Sequence, residues 1–308
     1  MSLSAWAWPW TLSLALSVGW AWPKSSRVFA GLALTFAVAW AWAPSVLMAL
    51  ALALAALVAA WKAGPDLAEE ALALPLILGT LLRARLAWFP VLPDKMVFWA
   101  GLLALVVACV AGQGVMASEK VQGRTRALLA GQAAWAFFGL ITGTVASPLA
   151  WTGLLSLVWQ QPLLRQPLSR VLRSQAQAPW STALLFLGLG GCLGLSAFSA
   201  YFQLFVPLMG QGEGVGSMQA QLFSGAGLLA AVAMLAVLVQ TCAFGYFYWL
   251  QVLPANPEGS PPRLWLERVL PWLALALSVA WGLHAADVSR AALGALRALD
   301  VSSLLPRP

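Results

Sequence analysis

Charged side chains are scarce in this chain: Asp, Glu, Lys and Arg make up 9% of its 308 residues, whereas hydrophobic residues make up 61%. Water-soluble domains carry about 25% charged residues, so this composition excludes a sizeable soluble domain. Cysteine is equally rare. The three cysteines, Cys109, Cys192 and Cys242, form no CxxC pair, which favours packing roles over disulfides or cluster ligands.

Histidine is almost absent, and the motifs of catalysis are absent altogether. The chain contains one histidine, His284, which follows the last apolar run and is expected to face water. It contains no HExxH motif, no phosphate-binding loop and no recognisable nucleophile–base pair. The sequence therefore predicts no catalytic site of its own, no metal site and no cofactor. The net charge of +7 lies mostly in short loops, where it sets membrane topology rather than binding nucleic acid.

Long apolar runs are what the sequence has instead. They recur over about 17–25 residues, the length that crosses a bilayer, and they are continuous and rich in Ala and Leu, which favours helices over strands. We predict an all-α, multi-pass integral membrane protein of the plasma membrane or an internal energy-transducing membrane. About ten spans are expected, at roughly 4–22, 27–43, 45–61, 71–86, 96–116, 126–145, 147–164, 181–208, 222–251 and 264–284.

The fourth run, ALALPLILGTLLRARL, is short and is interrupted by Pro75 and Gly79, which predicts a discontinuous helix. The elbow before it, WKAGPDLAEE, carries Asp66, Glu69 and Glu70. Carboxylates beside a discontinuous helix can hold a proton or a cation. Alternatively, they occupy the first turn of a helix, where water and the helix dipole stabilise them. The sequence leaves both interpretations open.

Tryptophan is abundant, and many of the 18 indoles lie near the ends of apolar runs. Because indole settles at headgroup depth, this placement predicts interface anchors; an aromatic ligand cage is the alternative. The run-end positions are Trp20, Trp22, Trp40, Trp42, Trp61, Trp159, Trp249, Trp265 and Trp281.

Loop charges orient the chain with its basic loops inside, and they assign Arg83, Arg85 and Lys95 to the outer side.

The chain divides into three parts by pattern. Residues 1–63 form an N-terminal three-span segment, 64–285 a helical core and 286–308 an amphipathic tail. The tail has apolar residues at helical spacing with Arg290 and Arg297 on one side, which predicts an interfacial helix.

An uncharged polar segment interrupts the eighth run. We call this segment, GLSAFSAYFQLF, the polar knot; its small and polar members are Gly194, Ser196, Ser199, Tyr201 and Gln203. Such a segment fits a broken helix, whose freed backbone groups need hydrogen-bond partners inside the membrane.

Four motifs follow one another from the elbow onward. Trp61, Pro65-Asp66 and Glu69 parallel a W-L-P-D-A-M-E loop, and RARLAWFPVLPDK parallels a basic helix end with a Pro-containing loop. Next, RTRALLAGQ parallels D-I-K-R-L-L-A-Y-S, with Arg126 in place of the lysine, and GLSAFSAYFQL parallels G-L-P-P-L-x-G-F-F-S-K. This order resembles the antiporter-like membrane subunits of respiratory complex I, photosynthetic NAD(P)H dehydrogenase complexes and multisubunit cation/proton antiporters.

The resemblance implies a function and a set of site residues. It implies a diverged, shortened membrane subunit of an NAD(P)H–quinone oxidoreductase or cation/proton antiporter complex, with the bilayer and other membrane subunits as partners. Any redox chemistry would belong to those partners. The implied ion-path candidates are Asp66, Glu69, Glu70 and Arg126. Because Leu204 stands where the family has its channel lysine, independent proton pumping is not expected. An independent ion or small-solute transporter with broken helices, and a scaffold without transport, are the alternatives.

Overall fold

A computed structural model describes residues 7–8, 10–12, 14–15, 18, 26–64, 67, 72–89, 92–118, 121–143, 148–159, 197, 199–204, 225–252 and 265–297. All regular secondary structure in these ranges is helical. The helices are α1 Arg27–Ala41, α2 Val46–Ala63, α3 Ala73–Trp88, α4 Asp94–Ala117, α5 Val121–Thr142, α6 Leu149–Trp159, α7 Gly225–Val252, α8 Trp265–Leu283 and α9 Ala285–Leu296. A short helical stretch at 199–204 lies between α6 and α7 in the chain.

Two helices in the described ranges, α2 and α4, are long and apolar enough to cross a membrane. Shorter apolar helices are α1, α6 and the segment Leu228–Ala243 of α7. The all-α class is therefore confirmed for the described residues. The count of about ten spans and the division at 63 and 285 stay predictions.

The two span-length helices carry small residues inside and large residues outside. The buried face of α2 is made of Ala49, Ala53, Ala56, Ala59, Ala60 and Ala63. Its outward stripe contains Leu47, Leu50, Leu54, Val58 and Trp61. Helix α4 follows the pattern in most positions: Gly101, Ala104, Ala108, Ala111 and Gly112 are buried together with the larger Leu105 and Val115, and Met96, Trp99, Leu103, Val106 and Val110 are exposed. A helix of a water-soluble protein buries its large apolar residues and exposes polar ones. Small residues at helix contacts are instead typical of membrane bundles.

Helix pairs build the bundle. The four residues 42–45 join α1 to α2, and the Ser45 hydroxyl accepts a hydrogen bond from the backbone N–H of Met48, at 3.2 Å, as the N-cap of α2. Helix α3 packs against α2 and α5, while α4 packs against α5 and α7. Helices α4 and α7 run parallel, because Gly101 faces Leu229 and Gly112, further along α4, faces Val239.

The expectation of an interruption at Pro75 and Gly79 is wrong for residues 73–88, because α3 is continuous there. Pro75 is its third residue, and an N–H in the first turn has no intrahelical acceptor to lose. Gly79 leaves room for the ring of Trp40: a Cβ at Gly79 would lie 2.5 Å from that ring. Both residues that suggested a break are therefore compatible with an unbroken helix.

Candidate functional site

A cluster of buried indoles joins α1, α3 and α6. The ring of Trp10 meets the ring of Trp40 edge-on, with centroids 5.0 Å apart, and lies 6.3 Å from that of Trp159. The Nε1–H of Trp40 donates to the hydroxyl of Thr80 at 2.9 Å. Trp40 and Trp159 are 0% and 3% exposed, so their prediction as interface anchors is wrong; each faces the bundle interior. Trp61, at 67% exposed, does face outward.

Arg83 lies in the last two turns of α3 and is buried. Its guanidinium donates to the backbone carbonyl of Trp40 at 3.2 Å and also to the carbonyl of Ala43. Trp40 lies in the last turn of α1 and Ala43 in the linker that follows it, a position where the helix dipole favours a cation. Arg83 therefore ties α3 to the end of α1.

Arg85 is also buried, at 7% exposed, but it points toward α5 and α6. Its Nη2 makes a long 3.5 Å contact with the carbonyl of Gly143, and its Cζ lies 5.9 Å from the ring centroid of Trp151, within cation–π range. The sequence assigned Arg83 and Arg85 to the charges of the outer loops. The structure instead places both in α3, which is packed between α2 and α5.

Tyr201 of the polar knot is enclosed. Its ring centroid lies 5.0 Å from that of Trp135 on α5, and the side chain is 1% exposed. The Nε1–H of Trp135 donates to the side-chain oxygen of Gln240 on α7. The knot is thus held beside a buried indole–amide pair that joins α5 to α7. Gly194 and Ser196 lie outside the described residues, and Ser199 is half-buried.

Gln203 of the polar knot connects three segments through its amide. Its oxygen accepts a hydrogen bond from the Thr152 hydroxyl of α6 at 3.1 Å, and its Nε2 donates to the Ser289 hydroxyl of α9 at 2.5 Å. The Ser289 hydroxyl donates in turn to the carbonyl of Ala285 at 2.7 Å. This chain of neutral hydrogen bonds satisfies polar groups inside the bundle, as buried polar groups require.

Glycines allow the 199–204 stretch to lie directly on α5 and α6. A Cβ at Gly153 would lie 2.8 Å from the backbone oxygen of Ala200. A Cβ at Gly139 would lie 2.3 Å from the Cδ2 atom of Leu204, which is fully buried. The position where the resemblance has a channel lysine is therefore filled here by an apolar side chain against a glycine.

The implied ion-path residues are not brought together in the part of the chain that the structure describes. Arg126 is exposed on the second turn of α5. Asp66, Glu69 and Glu70 lie outside the described residues. Their assignment stays a prediction.

Two acidic residues, Asp94 and Asp287, have side chains that the structure describes as exposed. Asp287 contacts Arg290 at 3.2 Å and His284 at 3.3 Å, where α8 meets α9. The side chain of His284 is 71% exposed and thus faces away from the bundle; its contact with water stays a prediction. The tail is helical over α9, where Arg290 is exposed and Ser289 is turned toward the knot; its location at the membrane interface stays a prediction.

Sequence reasoning missed the buried arginines as site candidates. The available signal was the RAR segment at the end of an apolar run, with no acidic residue from 83 to 93 to pair with it. Arginine keeps its charge at any ordinary pH, so this interior can donate hydrogen bonds to an anion but cannot use these groups to relay protons.

No protein-family model matches this chain, and no curated protein matches it. Among solved structures, it is similar to a chain in the structure of the Mrp complex from Dietzia sp. DQ12-45-1b, with a TM-score of 0.56 and 13% sequence identity. The match covers 97% of this chain and 67% of that chain. At this identity the likeness shows a shared fold. It agrees, at the level of fold, with the family resemblance in the motif order.

Proposed function

We propose that this protein is an antiporter-like membrane subunit of a larger complex, of the cation/proton antiporter or NAD(P)H–quinone oxidoreductase kind. Its role there is structural, and it does not move protons by itself. The observation that carries the proposal is the fold likeness to a chain of the Mrp complex over 97% of this chain. The motif order from Trp61 to Gln203 supports the same assignment independently.

A location in the bilayer is supported by the outward faces of the helices. Large apolar residues stand outward along α2 and α4, and Met234, Leu235 and Leu238 do so on α7. In water these contiguous faces would be an aggregation liability, whereas lipid tails match them. We therefore assign these stripes to lipid or to neighbouring membrane subunits.

A structural role is supported by the chemistry of the described interior. A proton path needs titratable groups along the bundle, tuned by their neighbours and linked by water. In the described ranges the buried charged residues are arginines. The amide oxygen and nitrogen of Gln203 each make a hydrogen bond within the protein. The polar knot therefore serves packing between α6 and α9 rather than proton transfer.

Purification from native membranes tests the assignment to a complex. The chain carries an affinity tag, is extracted in a mild detergent, and the proteins eluted with it are identified by mass spectrometry. We expect several other polytopic membrane proteins in constant ratio to the tagged chain. The matched control is the same membrane without the tag. Recovery of the tagged chain alone would contradict the proposal.

Reconstitution tests the absence of independent pumping. The purified chain is placed in liposomes loaded with a pH-sensitive dye, and a membrane potential is imposed. We expect the dye signal to match that of empty liposomes. A proton flux that Glu69→Gln or Glu70→Gln abolishes would show that the elbow carboxylates form a working site and that the structural role is wrong.

A further inference from the structure

Unpaired hydrogen-bond donors of α3 and α6 lie close together beside the end of α5. Nε and Nη1 of Arg85, and Nε1 of Trp151, are buried and make no hydrogen bond in the described part of the chain. Nε carries one N–H and Nη1 carries two, so three guanidinium donors and one indole donor are unused. The guanidinium stands over the Trp151 ring, 5.9 Å from its centroid. Each of these groups can only donate.

Gly143 shapes this donor cluster. A Cβ on Gly143 would lie 2.1 Å from Nε1 of Trp151, so a side chain at this position would displace the indole donor. The Gly143 carbonyl, just past the C-terminal end of α5, is the one acceptor that Arg85 contacts in the described residues, at a long 3.5 Å. This contact occupies Nη2 and leaves the rest of the guanidinium unpaired.

The chain segments that form the cluster supply no counter-charge. Residues 83–93 and 143–151 contain no acidic residue. Asp94, the nearest acid in sequence, is exposed at the start of α4. The elbow carboxylates precede α3, a helix of 16 residues and thus about 24 Å long, whereas Arg85 lies in its last turn.

A buried charge without a partner is strongly unfavourable, and arginine cannot escape the cost by losing its proton. Because these neighbouring donors have no acceptors among the described residues, we propose that Arg85 and Trp151 form a binding site for a phosphate oxyanion. This proposal stands apart from the assignment to a complex, because it uses the donors of this chain alone. Guanidinium is well suited to phosphate, which accepts several of its N–H groups at once.

The position of the cluster gives two sources for the phosphate. Arg85 lies three residues before Trp88, the last residue of α3, and thus about 5 Å from the helix end. Trp88 and Phe89 are 53% and 60% exposed, as aromatic residues at headgroup depth are. At this depth the phosphate belongs either to the headgroup of an anionic lipid or to free inorganic phosphate.

The test measures binding to the full-length protein in neutral detergent with two probes. Native mass spectrometry counts dioctanoyl-phosphatidylglycerol adducts against dioctanoylglycerol, which lacks the phosphate. Calorimetric titration measures inorganic phosphate at constant ionic strength. We expect one site in the wild type. Binding of the phospholipid alone identifies a lipid headgroup site, whereas binding of inorganic phosphate identifies a site open to the free ion; either result supports the phosphate chemistry.

Variants locate the site. We expect Arg85→Gln to weaken binding by about tenfold or more, the value of a charge-assisted hydrogen bond, and Trp151→Phe, which keeps the ring and removes one donor, by about threefold. The control Lys95→Gln removes an exposed charge at the start of α4 and should leave binding unchanged. Binding to Arg85→Gln as tight as to the wild type would overturn the proposal, as would the absence of binding of either probe to the wild type.

A thermal readout separates loss of the site from loss of the fold. Without a probe, the wild type holds a buried charge that no described acidic residue compensates and that Arg85→Gln lacks, so we expect the Tm of the variant to equal or exceed that of the wild type. Saturating probe should raise the Tm of the wild type and leave that of Arg85→Gln unchanged, because only a protein that binds the ligand is stabilised by it. Equal rises in both proteins would contradict the site. If Arg85→Gln does not fold, Trp151→Phe provides the same comparison.

Discussion

The contact between Gly153 on α6 and the 199–204 stretch offers the most specific test of the packing. In Gly153→Ala, the new Cβ would lie 2.8 Å from the backbone oxygen of Ala200 and 3.1 Å from the Cβ of Gln203. A backbone oxygen within a helical stretch cannot rotate away, so the two segments must move apart. That movement also lengthens the adjacent hydrogen bond between Thr152 and Gln203, which is 3.1 Å long.

The size of the effect follows from two destabilising contributions and one stabilising contribution. Overpacking costs about 1–3 kcal/mol, and the loss of a neutral hydrogen bond costs about 0.5–1.5 kcal/mol. Alanine is favoured over glycine in a helix interior by about 0.8–1.0 kcal/mol. We expect Gly153→Ala to lower the free energy of unfolding by about 1–3 kcal/mol. Gly245→Ala in α7 is the matched control, because a Cβ there meets no atom within 4 Å and only the helical gain remains.

Tryptophan fluorescence during heating in detergent measures both variants. The Tm should rise in the order Gly153→Ala, wild type, Gly245→Ala. A Tm for Gly153→Ala equal to or above that of Gly245→Ala would refute the close approach of α6 to the 199–204 stretch.

Three further outcomes follow from the structure. Trp40→Phe should lose about 1–3 kcal/mol of unfolding free energy in the same heating assay, because it leaves a buried hydroxyl without its donor, whereas Trp61→Phe on the exposed surface should be neutral. Gln203→Leu should lose about 0.5–1.5 kcal/mol for each of its two lost hydrogen bonds, because the hydroxyls of Thr152 and Ser289 keep their backbone acceptors. The sequence predicts that the run containing α3 crosses the membrane. In a cysteine-free background, cysteines at Lys62 and Lys95 should then react with an impermeant thiol reagent from opposite membrane faces; reaction from one face would refute that crossing.

The positions of most described helices could be predicted from the sequence. The runs expected at 27–43, 45–61 and 96–116 correspond to Arg27–Ala41, Val46–Ala63 and Asp94–Ala117. Length and hydropathy are sufficient for this, because a span must satisfy its backbone internally and match the bilayer. The helix interruption predicted at Pro75 was wrong, because a proline breaks a helix in its interior but not in its first turn.

The contacts of the site residues could not be predicted from the sequence, because hydropathy does not show which face of a helix packs against its neighbours. Arg83 and Arg85 read as loop charges, yet the first reaches the carbonyls at the end of α1 and the second the end of α5. Trp40 read as an interface anchor, yet Thr80, forty residues away, accepts its hydrogen bond. These partners are distant in sequence, so only the packing of the helices reveals them.

The native mass of the particle that contains this chain tests the central claim most directly. The chain alone has a mass of 32.6 kDa. In native mass spectrometry from a mild detergent, we expect a particle that holds this chain together with different membrane subunits and releases it on activation. A particle whose mass is one chain, or an integer multiple of it, would contradict its assignment as a subunit of a larger complex.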